Sequence, residues 1–131
     1  MRRRIYWFWH DLSHFVTAMA RGHLWWARGQ LDVLRRVCVD LLRLQHDFSR
    51  RPETYDKVDL SVPAERLVPL QDTYCPLAYE PMLRAGRVIL HVFLDLAPAL
   101  ARRHNIRYPA ELERLMIERL DQLDTRGPVG S

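Results

Sequence analysis

Lysine is nearly missing from this chain of 131 residues: Lys57 stands alone against nineteen arginines. Cysteine is scarce too. Cys38 and Cys75 form no metal-type spacing, and nothing else suggests a secreted disulfide scaffold. Long apolar runs are absent. Arg2, Arg3 and Arg4 precede Ile5-Tyr6-Trp7-Phe8-Trp9, but His10 and Asp11 end that run at once. No run approaches the roughly 18–20 residues that a membrane span needs, and the pattern is not that of a signal peptide. The expectation is a cytoplasmic soluble protein with no membrane partner. Strand-like alternation, internal repeats and a Gly-rich phosphate loop are also missing, which leaves an all-helical reading. The net charge of +4 is mild, and most arginines are interleaved with acids, as on a solvated helix face, so DNA is not an expected partner.

What the chain does have is helical period. Leu24, Ala27, Leu31, Leu34, Cys38, Leu41, Gln45 and Phe48 recur at alternating steps of three and four. They place an apolar stripe along a helix over 23–48, which Val33, Val37 and Leu44 widen. Cys38 on that stripe reads as a buried free thiol. A first helix over 4–21 buries Ile5, Phe8, Trp9, Leu12, Phe15, Val16 and Met19, and Gly22 ends it. A third over 77–104 buries Leu77, Met82, Leu83, Val88, Ile89, Val92, Phe93, Leu96 and Leu100. It contains Pro98, starts after Asp72 or Thr73 as a cap, and ends at Asn105. Pro109 opens a fourth over 109–123, with Leu112, Leu115, Met116, Leu120 and Leu123 inward. The expected architecture is an antiparallel four-helix bundle forming one domain over 1–123. A long loop at 49–76, with a short helical stretch from Pro63, joins the second and third helices. Residues 124–131, with their Gly and Pro, are expected to be a disordered tail.

Four constellations carry possible chemistry. His10 and His14 lie four apart on one helical face, a spacing that can hold a metal. A third ligand is not identifiable, so the preferred reading is a polar face turned to water, a partner or a ligand. Arg84 and His91 match the loose arginine–histidine spacing of helical HEPN-type ribonucleases, in which the arginine positions a phosphate and the histidine moves a proton. Between Val88 and Val92, His91 reads instead as a hydrogen-bonded core or boundary residue. Trp25 and Trp26 point about 100° apart on a helix, so that one can be core and the other rim. Lys57 falls in the long loop beside Tyr55, Asp56 and Asp59. A lysine kept where the chain otherwise uses arginine suits a compact point charge on a nucleotide phosphate.

The order of these pieces resembles the C-terminal helical domain of bacterial aminoglycoside and lincosamide nucleotidyltransferases, in the DNA polymerase beta-like superfamily. The matching pieces are an aromatic first helix ending Arg21-Gly22-His23-Leu24, and a long helix with Leu34-Arg35 at its middle. They continue with the loop Tyr55-Asp56-Lys57-Val58-Asp59, a helix ending Ala101-Arg102-Arg103-His104, and Tyr108-Pro109. The resemblance implies that Lys57 reaches toward nucleotide phosphates, and that Asp11, Trp25, Tyr55, Asp56 and Asp59 meet a cationic antibiotic. It also implies a separate catalytic domain or subunit as partner, carrying Gly-Ser and paired-aspartate motifs for ATP and magnesium. No Gly-Ser followed by Asp-x-Asp occurs in this chain, so the resemblance implies no adenylyl transfer by the chain alone. The other readings are the ribonuclease and a homodimer joined through Trp7, Trp25 or Trp26.

Overall fold

The computed structural model describes residues 1–46 and 58–126, and among them every regular element is an α-helix. The elements are α1 (Arg2–Ala20), α2 (Leu24–His46), α3 (Val58–Ser61), α4 (Ala64–Gln71), α5 (Tyr79–Arg103) and α6 (Ala110–Arg126). The helical bundle expected from the period is present, with two differences. The stretch expected as a long loop with a short helix from Pro63 holds α3 as well, and that short helix is an eight-residue α4 that continues through Pro69 to Gln71. The last helix extends three residues beyond its expected end, to Arg126. The end of the second helix at 47–48, the loop at 49–57 and the tail at 127–131 lie outside the described residues.

Both helix terminators read from the sequence have a backbone reason. Gly22 sits at φ 70°, its N–H reaching Met19 O at 3.1 Å while the His23 N–H reaches Ala18 O at 2.9 Å. Asn105 repeats this at φ 55°, with bonds from Asn105 to Arg102 O and from Ile106 to Ala101 O. Each pair satisfies carbonyls that the last turn leaves open, and needs a residue that tolerates the left-handed region. The short turn at Gly22 folds α2 back along α1, and Arg4 near the start of α1 pairs with Asp40 in the second half of α2 at 3.2 Å.

The core lies where α1, α2 and α5 meet. Phe8 stacks on Phe93 at 3.7 Å between centroids, and Trp9 meets Phe93 edge-on at 5.3 Å. Cys38 is buried and free, its Sγ donating toward Ile89 O at 3.6 Å, and burial pushes its thiol pKa up. α6 docks mainly on α1 rather than on α2. It reaches α5 through Arg87–Asp121 at 3.1 Å and through the Tyr79 hydroxyl, which donates to Leu123 O at 3.2 Å. Tyr108, half-buried before α6, donates to Glu113 Oε1, and burial followed by the Glu113 charge raises its phenol pKa.

Several residues expected inside are not. Val33, Leu77 and Leu115 are exposed, and neither tryptophan of the 25–26 pair is core: Trp25 is 81 % exposed and Trp26 36 %. Adjacent residues in the first turn of α2 both clear the packing surface, since α1 ends just before them. α5 begins at Tyr79, after Leu77, and its N-cap is Ala78 with no side-chain cap. Thr73, expected as a cap, is buried against Arg35 instead.

Gly86 makes the α1–α5 contact possible. A Cβ there would lie 2.6 and 2.8 Å from ring atoms of Phe15, which is fully buried and cannot give way. Helix propensity alone favours alanine over glycine by about 1 kcal/mol. The clash reverses that sign. Gly86→Ala is expected to lower stability by about 1–3 kcal/mol in urea unfolding. A gain in stability would show that the Phe15 ring does not hold its place.

Candidate functional site

The chain after α3 returns along α2. Arg66 at the start of α4 donates to the Gln45 side-chain oxygen at 3.1 Å, near the end of α2. Arg35 in its middle donates from Nε to Thr73 Oγ1 at 2.7 Å and from Nη2 to Thr73 O at 3.2 Å. Arg28 near its start donates to Cys75 O at 2.9 Å. α4 is thereby laid against α2 and α5, and an open groove of about 460 Å³ remains between the three helices. Glu65 and Arg66 come from α4, Gln45 and Leu42 from α2, and Val92 and Asp95 from α5.

The groove sits at the end of α2 that leads into the Tyr55–Asp59 stretch, where the sequence concentrates acids around Lys57. Glu65 and Asp95 are both exposed and belong to different helices, so their carboxylates line one concavity without burial. Arg66 is the opposing charge, and its Nη2 is engaged by Gln45. Such a lining can take a cationic, hydroxyl-rich molecule through exposed ion pairs and hydrogen bonds.

The residues expected at a site separate into groups. Tyr55, Asp56 and Lys57 lie outside the described residues. Asp59 is exposed in α3, toward the groove end of α2. Asp11 is on α1 and Trp25 is in the first turn of α2, and neither lines the groove. Burial raises the Asp11 carboxyl pKa, against the opposing pull of His10 and His14. His91, expected as a core or boundary residue, is exposed, and Arg84 is exposed one face-repeat away on α5. Arg84 lines a second groove of about 400 Å³ with Tyr74 and Pro81, and His91 lines neither groove.

His10 and His14 stand on the outer stripe of α1, with Nε2 to Nε2 at 3.2 Å. Trp7 meets His10 edge-on at 4.8 Å, and Trp26 reaches His14 at 5.7 Å across the Gly22 turn. Among the described residues, no three His, Cys, Asp or Glu side chains are grouped to hold a metal ion. Also among them, no helix is long and apolar enough to cross a membrane.

Glu65 and Asp95 were not singled out by sequence reasoning. Asp95 carried a usable signal: it is a lone acid in the apolar run Val88–Leu100 of α5, four residues after His91. Glu65 read only as a helix-start residue. No family model matches the chain, and neither a curated protein nor a solved structure matches it.

Proposed function

We propose that this chain is the substrate-side helical module of an antibiotic nucleotidyltransferase of the aminoglycoside type, working beside a catalytic domain that carries the metal-binding carboxylates. One observation carries the reading: the α2–α4–α5 groove, walled by Glu65 and Asp95, opens at the end of α2 that leads to Tyr55, Asp56, Lys57 and Asp59. A polyamine sugar would place ammonium groups against the two carboxylates and hydroxyls against Gln45. Lys57 would supply the charge toward the nucleotide phosphates once the catalytic domain closes over the groove. The ordered resemblance of the chain's pieces supports the same reading, and the all-helical bundle is compatible with it.

Exposed ion pairs are individually weak, each worth about 0.2–1 kcal/mol, so this module alone binds loosely and its affinity falls with salt. Calorimetric titration with an aminoglycoside panel tests this. The double variant Glu65→Gln, Asp95→Asn is expected to bind roughly tenfold more weakly, a loss of about 1.4 kcal/mol. Asp11→Asn, on the other side of the hairpin, should bind as the parent does. Equal affinity in the double variant, or no saturable heat for any aminoglycoside at low salt, would reject the assignment of the groove.

A further inference from the structure

The outer stripe of α1 holds a feature that the groove does not use. We propose that His10 and His14 form a two-histidine site for a borderline divalent cation, Cu²⁺, Ni²⁺ or Zn²⁺, at the surface of the α1–α2 hairpin. The i, i+4 spacing turns both imidazoles to one side of the helix, and their Nε2 atoms converge to 3.2 Å. Two ligand nitrogens on one metal, each about 2.0–2.1 Å from it, stand about 2.9–3.4 Å apart at square or tetrahedral angles. The observed separation lies inside that window. The pair therefore meets the distance requirement for two nitrogens that share one cation.

The rings are also held from both sides. Trp7 packs edge-on against His10 with an interplanar angle of 89°, and Trp26 from α2 leans on His14 at 55°. The helix beneath is in its interior turns, and α1 is fixed by its buried stripe of Phe8, Trp9, Leu12 and Phe15. Preorganised ligands lose little freedom on binding, which favours capture of the metal. In the free protein one imidazole N–H donates to the lone pair of the other. On binding, the donor ring moves its proton from Nε2 to Nδ1 by exchange with solvent, so that each neutral imidazole gives its Nε2 lone pair to the metal. Imidazole ligands suit Cu²⁺, Ni²⁺ and Zn²⁺ over magnesium or calcium, and Cu²⁺ binds tightest among them. Asp11, half-buried next to His10, adds negative charge behind the pair. With two protein ligands the remaining positions go to water or to an incoming donor, so the site is open and exchangeable rather than structural.

Titration of the full chain with CuCl₂ and with ZnCl₂, followed by calorimetry and by tryptophan fluorescence, tests the site. The parent should bind one equivalent of Cu²⁺ more tightly than Zn²⁺, with quenching from Trp7 and Trp26 beside the metal. His10→Ala and His14→Ala should each weaken binding at least tenfold, while His91→Ala leaves the first equivalent unchanged. His10 is exposed, so its replacement should leave the helical circular dichroism intact and the comparison valid. Cu²⁺ binding that survives the double His10→Ala, His14→Ala variant within threefold would overturn the proposal, as would the absence of saturable binding up to millimolar metal. These outcomes are independent of whether the groove takes an aminoglycoside.

Discussion

Phe93→Ala is expected to cost about 3–5 kcal/mol of unfolding free energy, the range for removing a large aromatic from a core. The ring is fully buried and joins two helices, stacking on Phe8 and receiving the edge of Trp9. The surrounding side chains are themselves large and locked, so the space left by the ring would not collapse. Against a typical total of about 5–15 kcal/mol, the loss removes a large share of the stability. Urea unfolding followed by tryptophan fluorescence measures it, because Trp9 reports the same contact. Phe93→Leu should retain more than half of the lost stability, since it keeps most of the volume. A cost below about 1 kcal/mol for Phe93→Ala would show that α1 and α5 do not meet through these rings.

The second large effect is expected at Arg35, one of the charged side chains buried in the bundle. Its guanidinium spans three partners: Thr73 through two bonds, Asp32 Oδ1 at 2.7 Å, and the face of Tyr74 at 3.9 Å. Thr73 Oγ1 in turn donates to Leu70 O, which closes the end of α4. Arg35→Ala strands the Thr73 carbonyl in a buried place and opens a hole beneath Tyr74. The expected loss is about 2–4 kcal/mol, within the range for bonds made by a charged group with the partner left unpaired. Arg35→Lys should recover little of it, because a single ammonium cannot reproduce the fork or lie flat on the ring. A local readout accompanies the global one. The 72–78 connection should loosen, and Cys75, partly exposed and held through Arg28, should react faster with a thiol reagent while Cys38 stays silent. Unchanged Cys75 reactivity in Arg35→Ala would show that the connection is held by other means.

These two positions show what the sequence could and could not reveal. The 3.6-residue period located α1, α2, α5 and α6 because burial on one face is written in every third or fourth residue. Gly22 and Asn105 marked helix ends because few residues accept a positive φ. The Arg35–Thr73 contact had no such mark: it joins residues 38 apart through a return of the chain that no local pattern encodes. Gly86 carried no mark either, because its reason, the Phe15 ring, lies on another helix. α4 runs past the short stretch expected from Pro63, because a proline six residues into a short helix removes only one bond near its last turn. The candidate sites divide in the same way. The His10–His14 spacing was legible, whereas the closeness of Trp26 depends on how α2 folds back on α1. Glu65 and Asp95 share a groove through the docking of α4 on α5, which is tertiary information.

Amide chemical-shift mapping of the isotopically labelled chain, titrated with an aminoglycoside at low salt, tests the substrate-side reading most directly. Shifts are expected to be confined to Gln45, Glu65, Arg66, Val92 and Asp95 and to residues 55–59, with the indole signals of Trp7, Trp25 and Trp26 unmoved. Shifts centred on the Trp7–His10–His14–Trp26 stripe, or no shifts at millimolar aminoglycoside, would contradict it.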